Sequence, residues 1–134
     1  MTSTNFWRVL FVIFFIIVTY ASLTPDPDTL DQSGGIMKWL ASLLLGSEDH
    51  GDKIAHFLAY GALGFCIFPG RLTLFGRFVL TFVALLGYGF LMEWMQSFSV
   101  ERQTSMLDAT ANTAGLIAGL GAGYLFLNLF KRRS

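Results

Sequence analysis

Four long apolar stretches order the chain. They run from Phe6 to about Leu23, from about Ile54 to Pro69, from about Leu72 to Phe98, and from Ala109 to Phe130. None alternates apolar with polar residues, so none has the period of a strand. Each is near the roughly 17–25 residues that a helix needs to cross about 30 Å of hydrocarbon. A helix also satisfies its own backbone hydrogen bonds, which lipid cannot do. The pattern predicts an all-α integral membrane protein, a four-transmembrane-helix bundle with helices at about 6–23, 52–69, 72–98 and 108–130. The second is the shortest and extends upstream through Asp52 and Lys53.

Between the first two runs lies the longest connection, Thr24 to Gly51. It opens with TPDPD, whose prolines stop the first helix. It then carries IMKWLASLLLG, about ten apolar-rich residues, too short to span. Ile36, Leu40, Leu43 and Leu44 share a helical face there. That spacing predicts a short interfacial helix on the outer leaflet, or equally a plug packed over the bundle. The first run is longer than a signal-peptide core and lacks an A-x-A site, so a retained helix is expected rather than a cleaved leader.

The fourth run carries Ala111, Gly115, Gly119 and Gly123 at four-residue spacing, with Ala114, Ala118 and Ala122 in a second row. Small residues so spaced let helix backbones approach closely in lipid. This stripe is expected to form the seam of the bundle within one chain, before any use in a dimer.

Composition agrees. Of 134 residues, 54% are hydrophobic and only 13% charged, against roughly 25% charged in soluble domains. A soluble domain this small buries only about two-thirds of its unfolded surface and would not hide so much apolar area. The single cysteine, Cys66, excludes an internal disulfide and any cysteine-based metal cluster. Charge is unevenly placed. With the amino terminus in the cytoplasm, the inner side holds Arg8, Arg71, Arg77, Lys131, Arg132 and Arg133 and no acid. All nine acidic residues then fall outside, with Lys38, Lys53 and Arg102. The excess of basic residues in inner loops places both termini in the cytoplasm. Trp7 at the inner boundary, and Tyr20 and Trp94 at the outer one, suit the aromatic belts.

Three polar clusters stand at the outer helix ends. In DKIAHFLAY, Asp52, His56 and Tyr60 are four apart and share one helical face, with Lys53 three residues from His56. In EWMQ, Glu93 and Gln96 share a face of the third helix. Glu93 lies about a turn inside the boundary, where a carboxylate turns inward to a partner or to water. In RQTSMLDATAN, Asp108 and Asn112 occupy the first turns of the fourth helix, and Asn112 borders the small-residue seam. Each cluster also has a purely structural use: His56 as an interhelical bond, Glu93 as the ion partner of Arg102 or Lys53, Asp108 as a cap. No metal-ligand spacing is present; His50 and His56 make a weak pair. No cofactor is implied. The basic tail KRRS is a positive-inside anchor and gives no support for nucleic-acid binding.

At these residues the sequence resembles the VanZ-like family of small membrane proteins. The resemblance lies in DKIAHFLAYGALG at 52–64, MEWMQSF at 92–98 and ERQTSMLDATANTAGLIAG at 101–119, with YASLTP closing the first helix. It covers most of the chain from Tyr20 to Gly119. The chain departs from it at Ser99-Val100-Glu101, where family members commonly carry a Pro-Gly or similar turn before the arginine. The resemblance implies a single transmembrane domain over 1–134 in a bacterial inner membrane. The family's named member is an accessory factor in low-level resistance to the glycopeptide teicoplanin. It also implies a ligand site made of Asp52, Lys53, His56, Tyr60, Glu93, Gln96, Arg102, Asp108 and Asn112.

Three functions follow as expectations. The first is a non-enzymatic envelope protein that binds an anionic or amphiphilic ligand, a lipid-linked cell-wall intermediate or a lipoglycopeptide. Lys53, Arg102 and protonated His56 would meet its phosphate or carboxylate. The second is an enzyme acting on a lipid head group, with His56 as general base oriented by Glu93 or Asp108. Ser105 lacks a nucleophile elbow. The third is a structural or partner-docking protein. A transporter is disfavoured because neither an internal repeat nor a broken helix pair is evident.

Overall fold

The computed structural model describes residues 4–23, 51–98 and 106–131. The segment expected to form the interfacial helix and the loop carrying Arg102 lie outside the described residues. Most of the rest is helical: α1 (Thr4–Leu23), α2 (Gly51–Ile67), α3 (Phe78–Gln96) and α4 (Met106–Lys131). Three of them, α1, α3 and the Met106–Leu129 part of α4, are long and apolar enough to cross a membrane. The shortest is α2, at 17 residues.

One boundary differs from the sequence reading. The third helix starts at Phe78, not near Leu72, and ends at Gln96. Residues 68–77 instead form a compact turn, with Arg71, Phe75 and Gly76 at positive φ. The signal was Pro69-Gly70, a turn dipeptide, and Gly76 six residues later. Thr81, buried in the first turn of α3, fastens this connection. Its hydroxyl accepts from the Leu74 amide at 2.9 Å and donates to the Leu72 carbonyl at 3.0 Å.

The closest pairing is α2 against α4, and the glycines of α4 explain it. A Cβ at Gly115 would run into the carbonyl of Phe57, one at Gly119 into that of Gly61, and one at Gly123 into that of Phe65. Three glycines four apart therefore face three carbonyls four apart, so the backbones lie in direct contact. Gly64 repeats the arrangement from α2, against the carbonyl of Leu116. The expected small-residue seam is thus intramolecular.

On the other face of α2 the core gathers Tyr60, Leu63, Ile67, Leu85, Leu116 and Val18. Cys66 is fully buried beside it, as its apolar run predicts. Helix α1 lies antiparallel to α2. Its start meets the end of α2, where Arg8 Nε donates to the Gly70 carbonyl at 3.0 Å. The Trp7 ring packs 5.4 Å from Phe65 and 5.4 Å from Phe126. Near its other end Thr19 accepts from the Tyr88 hydroxyl at 2.8 Å, because its own proton goes to the Phe15 carbonyl at 2.7 Å. Much of α1 faces outward with Phe6, Val9, Val12, Ile13, Ile16 and Ile17 exposed. A helix apolar all round and this exposed belongs in lipid or against another apolar surface.

These contacts sort the charges. Arg8, Arg71 and Arg77 lie at one end of the bundle; Asp52, Lys53, Glu93 and Asp108 lie at the other, where α2 and α4 begin and α3 ends.

Candidate functional site

Three helices deliver side chains to that second end, and a hydrogen-bonded chain runs across them. The start of α2 brings His56, the end of α3 brings Glu93, and the start of α4 brings Asn112 between them. Asn112 Nδ2 donates to Glu93 Oε1 at 2.9 Å. His56 Nδ1 and Asn112 Oδ1 are 2.9 Å apart. His56 Nδ1 also lies 3.7 Å from Glu93 Oε1. Glu93 is 8% exposed and Asn112 3%, so the link is largely shielded from solvent.

The donors and acceptors fix a tautomer. An ionised carboxylate only accepts, so the Asn112 amide presents its NH2 to Glu93. Its oxygen then faces His56 and must receive a proton from Nδ1. Nδ1 is therefore the protonated nitrogen, and Nε2 carries the lone pair of the neutral ring. His56 is only partly buried. The arrangement presents an oriented imidazole whose Nε2 can take a proton or accept a hydrogen bond, with a buried acid behind it through an amide. That is the geometry of a positioned base.

A second element adjoins the chain. Lys53 Nζ lies 2.9 Å from Asp52 Oδ2 and 3.5 Å from Asp108 Oδ1. It ties the first turns of α2 and α4 together. Asp52 is exposed, whereas Asp108 is buried. The sequence offered Lys53 as an ion partner for Glu93; its ion pairs are with Asp52 and Asp108 instead, while Glu93 bonds to Asn112.

Gln96, one turn beyond Glu93, is buried too, and its Nε2 makes no hydrogen bond among the described residues. Tyr60 shares the His56 face, as its spacing predicts, but points deeper. It is 1% exposed, in the core, with its ring 6.1 Å from that of Tyr88. It belongs to the floor of the site rather than its surface. Arg102 lies outside the described residues. The Thr19–Tyr88 bond and the Arg8–Gly70 contact were missed in the sequence. The signal for the first was a tyrosine and a threonine in otherwise apolar runs. Among the described residues no group of three metal-ligating side chains forms.

Fold and site together define an all-helical protein with three helices suited to span a membrane and a chain of polar side chains at one end of them. No family model matches the chain, and no curated protein or solved structure is found similar to it.

Proposed function

We propose that the chain is a VanZ-like inner-membrane protein with four spanning helices that binds an amphiphilic envelope ligand at its extracytoplasmic face. The observation that carries this reading is the convergence of His56, Asn112 and Glu93 from three helices at one end of an apolar bundle. Ionisable groups are costly beside lipid, and such a gathering marks a site by default. A lipid-linked cell-wall intermediate or a lipoglycopeptide suits the surroundings. Its tail stays in the bilayer while its head group meets the polar end. Lys53 and Arg102 hold the phosphate or carboxylate. Asp52, Asp108 and His56 Nε2 meet hydroxyls and amines. The acidic end faces outward and both termini stay in the cytoplasm, in keeping with the distribution of basic residues. Glycopeptide resistance is the phenotype to which the resemblance points.

The test uses the full chain in nanodiscs and a fluorescent lipid-linked cell-wall precursor. The natural chain should bind it saturably. Lys53→Ala and Arg102→Ala should each weaken binding at least tenfold while the protein still reaches the membrane. Full binding by both variants would overturn the reading.

A second reading is favoured by the oriented imidazole: an enzyme in which His56 Nε2 is general base on a lipid head group, held by Asn112 and Glu93. The same precursor separates the two. Turnover that is lost in His56→Ala supports the enzyme, and stable binding of unchanged precursor supports the first reading.

A further inference from the structure

Beneath the hydrogen-bonded chain lies a feature that the site does not use. A cavity of about 10 Å³ is lined by Tyr60, Leu85, Gly89, Ala109, Asn112 and Thr113, among others. The Tyr60 ring that lines it carries a hydroxyl. Among the described residues that oxygen is buried without a hydrogen-bond partner, in a residue that is 1% exposed. It lies 3.7 Å from where a Cβ on Gly89 would be, and Gly89 lines the same cavity. The neighbouring Tyr88 hydroxyl is engaged elsewhere, with Thr19.

Asn112 supplies the other half. Its amide has two N–H donors and an acceptor oxygen with two lone pairs. One N–H goes to Glu93 and one lone pair to His56. The second N–H and the second lone pair remain. Thr113 also lines the cavity; its hydroxyl donates to the Ala109 carbonyl at 2.9 Å and can still accept.

We infer that this cavity is a binding site for one water molecule, held by the Tyr60 hydroxyl and the Asn112 amide. The volume matches: about 10–15 Å³ of cavity admits a single water, which needs two to four polar partners. An empty cavity of this kind would be lined by apolar atoms alone. A buried hydroxyl left without a bond is costly, and the water removes that cost. It joins Tyr60 to His56 and Glu93, so that the polar chain runs from the end of the bundle into its core. This inference is independent of which ligand the outer end binds.

A double-mutant cycle on the full chain in detergent tests it, using Tyr60→Phe and Gly89→Ala. A methyl at Gly89 would come 3.2 Å from Tyr60 Cε1, an atom that phenylalanine keeps, so that crowding is common to both backgrounds. Only the hydroxyl and its water differ. With Tyr60 present, Gly89→Ala displaces the water and should lower the thermal midpoint. In the Tyr60→Phe background the water has already lost its hydroxyl partner, so Gly89→Ala removes one bond fewer and the midpoint should fall less, by about 5 °C between backgrounds. Equal shifts in both backgrounds would mean a dry cavity and overturn the inference. A density map fine enough to show ordered water decides the matter directly. A peak within bonding distance of Tyr60 Oη and the Asn112 amide supports the site, and bare density there sinks it.

Discussion

Asn112 is the residue on which the polar end turns. Its one amide bonds to both His56 and Glu93, and it is 3% exposed. Replacing it with leucine removes both bonds at once and leaves polar atoms buried. The expected cost is about 2 kcal/mol, read as a lower thermal midpoint in detergent. Equal midpoints for the parent and Asn112→Leu would remove Asn112 from its place beside Glu93.

At the scale of helices, the α2–α4 contact is set by glycine rather than by hydrophobicity. Lipid tails are as apolar as leucine, so close packing must hold the pair together. Two glycines of α4, two residues apart, give the contrast. At Gly119 a Cβ would strike the Gly61 carbonyl, whereas at Gly121 it meets nothing within 4 Å. The same change should therefore have opposite signs. Gly119→Ala should destabilise by about 3 kcal/mol, as overpacking against backbone does. Gly121→Ala should be neutral or stabilise by up to about 1 kcal/mol through helix propensity. Thermal unfolding of the two variants side by side checks this, and equal effects would mean that α4 presents another face. This seam was legible because the spacing of small residues is itself the packing code. So were the helices, because only continuous helix satisfies so long an apolar run. Asn112 facing the bundle followed from its place three residues before Gly115. The start of α3 was not legible from hydropathy, since Leu72, Leu74 and Phe75 read as apolar whether they are helical or in a turn. Pairing was not legible either. Helical spacing places Asp52, His56 and Tyr60 on one face, but depth decides that Asp52 meets Lys53 in solvent while Tyr60 enters the core.

For the whole molecule, the number of spans reduces to α2. Its 17 residues make about 25 Å of helix, a little short of about 30 Å of hydrocarbon. Yet α2 is gripped along its length by α4, which is long enough to cross. In the proposed four-span arrangement, a helix held backbone to backbone against α4 crosses with it, and a small mismatch is met by local thinning of the bilayer. The ends of α2 agree with that position. Lys53 and its two carboxylates sit at the start, and the turn carrying Arg71 follows the end. The two ends of α2 should then lie on opposite sides of the membrane. Asp52→Cys and Thr73→Cys report on them, since both positions are exposed while the native Cys66 is buried and stays silent. In intact cells with the outer barrier opened, a membrane-impermeant maleimide should label position 52. It should reach position 73 only after the inner membrane is permeabilised. Labelling of both from one side would mean that α2 does not cross, and labelling of 73 alone would invert the orientation. The second result would move the polar site away from the outer face, and with it the proposed ligand; the first would remove α2 from the spanning helices.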